Sequence, residues 1–138
     1  MPKLIVLLSH DLTPDQVEAS SVELGCTGIK IPPDEIREAW SSVPPEADDI
    51  TTFGMIFISW LLVAAKQGDY LLLSGDYGIT FMVAQWALEN GLIPVYSTGE
   101  RDYTCRDEGE KGIVNVHRFK HVKFRRFRYY ECGELKKN

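Results

Sequence analysis

Three short stretches of this chain are apolar with almost no interruption: Lys3 to Ser9, with Leu4-Ile5-Val6-Leu7-Leu8 at its centre, Tyr70-Leu71-Leu72-Leu73, and Leu92 to Tyr96. A strand with one wetted face alternates apolar and polar residues. A run that is apolar on both faces belongs to a strand covered on both sides, as in a parallel sheet flanked by helices. Helix signals fall between these runs. Thr13-Pro14-Asp15-Gln16 supplies a capping residue, a proline at the first helical position and the Gln of a capping box, which predicts a helix to about Leu24, ended by Gly25.

Cys26 to Ile31 reads as a short second strand, Pro32-Pro33 breaks the chain, and Asp34 to Trp40 makes a brief helix. After Pro44-Pro45, the acidic Glu46, Asp48 and Asp49 favour the positive N-terminal end of a helix over about Ile50 to Lys66, with Gly68 beyond its end. Its apolar composition predicts the central, buried helix. Ser74-Gly75-Asp76-Tyr77-Gly78 leads into another helix, with Ile79, Met82, Val83, Trp86 and Ala87 on one stripe, ended by Asn90-Gly91. Ser97-Thr98 begins a polar loop through Gly112. From Ile113 to about Tyr129 the sequence alternates as a strand, long enough to bend or form an arm. Strands alternating with helices predict one α/β domain over residues 1–138, Rossmann-like, with a right-handed, mostly parallel sheet and a basic antiparallel C-terminal edge strand.

The chain has 44% hydrophobic and 25% charged residues, the balance of a globular domain. Its longest apolar stretch, Phe53 to Ala65, falls short of the roughly 20 residues that span a bilayer. The N-terminus lacks the charged lead and cleavage site of a signal peptide. Cys26, Cys105 and Cys132 share no CxxC spacing and suggest neither a disulfide framework nor a zinc knuckle, so a reducing cytoplasm is expected. Charge is uneven. Residues 1–112 hold seven Lys and Arg against eighteen Asp and Glu, whereas residues 113–138 hold eight against two. A basic segment on an acidic body fits an anionic ligand at one surface, and equally a strand that sheds its charges into solvent.

In open α/β sheets ligands sit beyond the carboxyl ends of the strands, and three such ends are polar here: Ser9-His10, Ser74-Gly75-Asp76 and Ser97-Thr98. Gly75 and Gly78 let backbone approach a phosphate at a helix N-terminus, or serve only as turn residues with Asp76 as the cap. Asp76 repels phosphate, so its ligand role is accepting from a ribose hydroxyl or an amino group. His10 is placed for acid or base chemistry, or is a hydrogen-bonded turn residue. His117 and His121 lie roughly 13 Å apart on an extended strand, too far to share one metal ion. With Phe119 between them they form one face that can stack bases, and Arg125 or Arg101 can contact phosphate. An edge strand guarded by its charges has the same pattern.

Taken together and in order, Leu8-Ser9-His10-Asp11-Leu12-Thr13, Gly68-Asp69-Tyr70 to Ser74-Gly75-Asp76-Tyr77-Gly78, Leu92-Ile93-Pro94-Val95-Tyr96-Ser97-Thr98 with Arg101, and His117-Arg118-Phe119-Lys120-His121-Val122 resemble the CRISPR-associated Csx family, member number twenty. The resemblance implies a type III CRISPR accessory protein related to the Rossmann-like CARF domains. It implies a ring nuclease that degrades cyclic tetra-adenylate and switches off the antiviral signal. The chemistry expected is attack of a ribose 2′-hydroxyl on its adjacent phosphodiester, which needs in-line positioning and charge neutralisation.

Position and chemistry then assign proton transfer to His10, orientation of the ribose to Ser9 and charge stabilisation to Arg101 or a basic residue of the last strand. Ligand positioning falls to Ser74, Gly75, Asp76, Tyr77, Gly78, Ser97 and Thr98, with His117, Phe119 and His121 contributing from the last strand. No cofactor or metal is expected, nor a membrane or duplex nucleic acid partner. A homodimer is expected, matching the twofold symmetry of the ring. Two rivals use the same residues differently: a non-catalytic sensor or sponge, and an RNA-binding accessory resting on residues 118–128.

Overall fold

The computed structural model describes residues 1–107 and 113–131, with the backbone alone for 101–107 and 113–118. Strand β1 (Leu4–Leu8) is buried along its whole length and lies between two parallel neighbours. These are β2 (Ile29–Lys30) and β3 (Tyr70–Ser74). Beyond β3 come β4 (Ile93–Asp107), parallel, and β5 (Ile113–Arg126), antiparallel to β4. The order β2-β1-β3-β4-β5 gives a five-stranded, mostly parallel sheet with an antiparallel basic edge strand, as expected.

Because side chains alternate along a strand, each strand serves two cores. Ile5, Leu7, Leu71 and Leu73 face α2 (Asp34–Ser41), α3 (Thr51–Ala64) and α4 (Tyr77–Glu89). Leu4, Val6, Leu8, Leu72, Val95 and Phe124 face the opposite way, toward the nine-residue α1 (Pro14–Val22). The capping box at α1 forms as its sequence predicts: the Gln16 N–H donates to Thr13 Oγ1 and the Thr13 N–H to Gln16 Oε1.

Two expectations differ. The helix read as central and buried, α3, buries Gly54, Phe57, Ile58 and Leu61 and leaves Met55, Ile56, Leu62 and Val63 exposed. One stripe of the helix packs into the core, and its remaining apolar side chains face solvent in the single chain. The stretch read as a polar loop from Ser97 is strand as far as Asp107. It pairs with β5 from Val95↔Arg126 to Asp107↔Ile113, and β3 accompanies it only at Ile93–Val95. Beyond that point β4 and β5 run on as a two-stranded ribbon. The chain segment 108–112 lies outside the described residues.

Candidate functional site

The strand order puts the carboxyl ends of β1 and β3 beside the point where β4 runs on past β3, with Leu8 opposite Ser74 and Leu72 opposite Val95. Ser9-His10, Ser74-Gly75 and Ser97 therefore share one edge of the sheet. They do not share one environment.

At the first end, Ser9, His10 and Asp11 are exposed. The His10 Nδ1 lies 2.8 Å from the Asp11 carbonyl oxygen. A carbonyl only accepts, so Nδ1 carries the proton and Nε2 of the neutral ring keeps its lone pair. Arg37, from α2, pairs with the Asp11 carboxylate. Beneath these polar groups lies a cavity of about 360 Å³ walled by Val6, Leu8, Leu12, Val17, Ile29, Ile31 and Pro32, with His10, Asp11 and Arg37 at its rim. An apolar chamber with a few convergent polar groups is the usual form of a small-molecule site, and this volume lies at the low end of that range.

At the second end Ser74, Asp76, Tyr77 and Gly78 are exposed, and the glycines have packed neighbours. Trp40, only 2% exposed, donates its Nε1–H to the Ser74 carbonyl at 2.9 Å. A Cβ on Gly75 would stand 2.6 Å from that same nitrogen, and one on Gly78 would stand 2.7 Å from Ile50 Cδ1. Neither glycine has a positive φ. Packing alone is enough to require a small residue at both positions. Asp76 is the α4 cap, accepting from the Ile79 N–H at 3.1 Å. Tyr77 follows it, almost fully exposed at 94%.

The third end holds a polar network with a part the sequence did not reveal. A β-bulge between Thr98 and Gly99 shifts the β4–β5 register, so that Thr98 faces Lys123 while Gly99 faces His121. The extra residue breaks strict alternation and turns both His121 and Phe124 toward α1, their rings 4.4 Å apart. The His121 side chain is 4% exposed. Its Nδ1 lies 2.6 Å from Ser97 Oγ and its Nε2 lies 2.7 Å from Glu23 Oε2. Glu23 Oε1 also accepts the Phe124 N–H at 2.9 Å, and Asp15 Oδ2 accepts the His121 N–H at 2.8 Å. The carboxylates of Asp15 in α1 and of Glu23 just past its end thus cap outward N–H groups of an edge strand. Hydrogen bonds from the Thr13 hydroxyl and the His121 N–H hold the Asp15 carboxyl below its usual value. Thr98 Oγ1 donates to the Lys123 carbonyl at 2.9 Å.

His121 therefore does not belong to an open base-stacking face. Phe119 stays half-exposed, its ring packed over Gly99, where a Cβ would stand 2.2 Å from Cε2. Arg101 and His117 sit in β4 and β5, opposite Phe119 and Tyr103, and their side chains lie outside the described residues. Reading the sequence alone missed Arg37, Trp40, Glu23 and Asp15. Helix positions are visible in sequence, but a partner far along the chain is not. Among the described residues no three His, Cys, Asp or Glu side chains are gathered as metal ligands, and no helix is long and apolar enough to cross a membrane.

No solved structure matches this chain. A relative in Methanocaldococcus jannaschii, described as "Uncharacterized protein MJ1673", is 37% identical over 131 residues, which cover 94% of this chain and 100% of that protein. The family described as "Uncharacterized protein MJ1673 family" matches residues 2–125, and the chain belongs to it.

Proposed function

We propose that this chain is a metal-independent ring nuclease that binds cyclic tetra-adenylate and opens it by attack of a ribose 2′-hydroxyl on the adjacent phosphodiester. In this reading it is a cytoplasmic, Rossmann-like, CARF-related accessory of type III CRISPR defence that ends the signal. The observation that carries the reading is the His10 corner, where a ring nitrogen with a free lone pair stands at the rim of an apolar chamber beside Arg37. The chamber suits the flat apolar face of a purine, Arg37 can exchange its Asp11 partner for a phosphate, and Nε2 is free to move a proton. Arg101 or an exposed basic residue of β5 supplies further positive charge. The substrate brings its own nucleophile, so no hydroxide need be made from water.

The reading includes a homodimer. The outer face of α3 leaves Leu62 66% and Val63 88% exposed beside Met55 and Ile56, and a second copy about a twofold axis covers such a face.

A second reading has its own support: Lys120, Lys123, Arg125 and Arg126 are all exposed along β5, which fits single-stranded RNA. Incubation with labelled cyclic tetra-adenylate followed by chromatography separates the readings. Conversion to linear adenylates ending in a 2′,3′-cyclic phosphate, unaffected by excess EDTA, supports the ring nuclease. Retention of intact ring makes the protein a sponge, and indifference to the ring leaves the RNA reading.

A further inference from the structure

The Ser97–His121–Glu23 network has a direction. Glu23 uses one carboxylate oxygen for the Phe124 N–H and the other for His121 Nε2, so Nε2 must carry a proton. Nδ1 of the neutral ring is then an acceptor, 2.6 Å from the Ser97 hydroxyl. Neighbouring Thr98 spends its hydroxyl proton on a backbone carbonyl instead. The His121 ring is too buried to meet a ligand, whereas Ser97 keeps part of its surface in solvent. A hydroxyl backed by an imidazole, itself backed by a carboxylate, is the arrangement that makes serine able to give up its proton.

We infer that Ser97 is the proton acceptor for the reacting ribose hydroxyl, with His121 and Glu23 as positioning residues acting through it; this rests on the ring-nuclease reading. Ser97 follows Val95 on β4, and His10 follows Leu8 on β1, with β3 between them. The register sets Leu8 level with Ser97 across two strand spacings, roughly 10 Å, and His10 lies two residues farther on, so both side chains stand at one end of the sheet with room for a ribose phosphate between them.

In the step, the 2′ O–H bond breaks and its proton passes to Ser97 Oγ, while the Ser97 proton passes to His121 Nδ1. The resulting imidazolium is held by the Glu23 carboxylate. The 2′ O–P bond forms as the P–O5′ bond breaks, and O5′ takes the proton that His10 Nε2, whose lone pair is free in the resting site, has first accepted from solvent.

Single-turnover cleavage of labelled cyclic tetra-adenylate tests this with the parent protein, Ser97→Ala, Ser97→Thr and Glu23→Gln. Ser97→Ala is expected to slow cleavage roughly a hundredfold, with affinity for the ring and thermal unfolding at parent values. Ser97→Thr restores most of the rate. Glu23→Gln, which keeps an acceptor for the Phe124 N–H and loses the charge, slows cleavage about tenfold. Cleavage by Ser97→Ala at the parent rate overturns the relay and leaves the functional reading standing. A parent protein that leaves the ring intact overturns both.

Discussion

The two faces of the sheet are built differently. Three helices cover one face, and its core, from Ile5 and Leu7 to Phe57, Leu61 and Ile79, is apolar and closed. The only helix on the other face among the described residues is α1, of nine residues, and around it lie a chamber of about 360 Å³ and the Glu23–His121–Ser97 network. Where covering is thick, the two glycines that looked functional in sequence have close neighbours: Gly75 meets Trp40 and Gly78 meets Ile50. Where it is thin, polar groups stand between apolar walls and solvent, the setting in which proton transfer and ligand selection are possible.

The largest expected effect sharpens this contrast on the thick face. Phe57 is fully buried and meets Trp40 edge-on with ring centroids 5.0 Å apart, and Phe53 at 5.7 Å. Phe57→Ala should lower stability by about 3–5 kcal/mol in urea unfolding. A loss under about 1 kcal/mol would mean that this core is not close-packed and that the contrast between faces is false.

On the thin face, His10→Ala removes an exposed ring and should leave unfolding unchanged while slowing cleavage of cyclic tetra-adenylate about a hundredfold. Near-parent single-turnover cleavage makes His10 a turn residue.

The smallest effect concerns pH. The Asp15 carboxyl is held below its usual value by the Thr13 hydroxyl and the His121 N–H. A carboxylate lowered in the folded state stabilises it above the unfolded value, and that contribution is lost as pH falls through the folded one. Asp15→Asn should therefore flatten the stability curve slightly below about pH 4 and leave it unchanged at pH 7 relative to its own plateau. An equally steep acid limb in the variant means that the bond from α1 to the His121 N–H is not maintained in solution.

Much of the fold is legible in the sequence because its signals are local. Leu4–Leu8 and Tyr70–Leu73 are apolar on both faces, and the Thr13–Gln16 capping box acts over one helical turn. The ribbon is less legible, since residues 99–107 look polar in isolation and are held as strand by β5. His121 shows the limit most clearly. Strict alternation places it opposite Phe124, and a single bulge puts both under α1, where Glu23 lies 98 residues away in sequence. The packing at Gly75 is illegible for a related reason: its neighbour Trp40 comes from another helix. That His10 follows a strand end is legible in the sequence, whereas the approach of Arg37 to the same cavity is not.

Titration of the isotope-labelled protein with cyclic tetra-adenylate, followed residue by residue in amide spectra, tests the claim that the thinly covered face is the functional one. The account predicts shifts concentrated at Leu8, His10, Leu12, Ile31, Arg37 and Ser97, with the Phe57 and Leu61 amides of the opposite core unmoved. Shifts confined to α3 and α4, or a spectrum the ring does not alter, would contradict it.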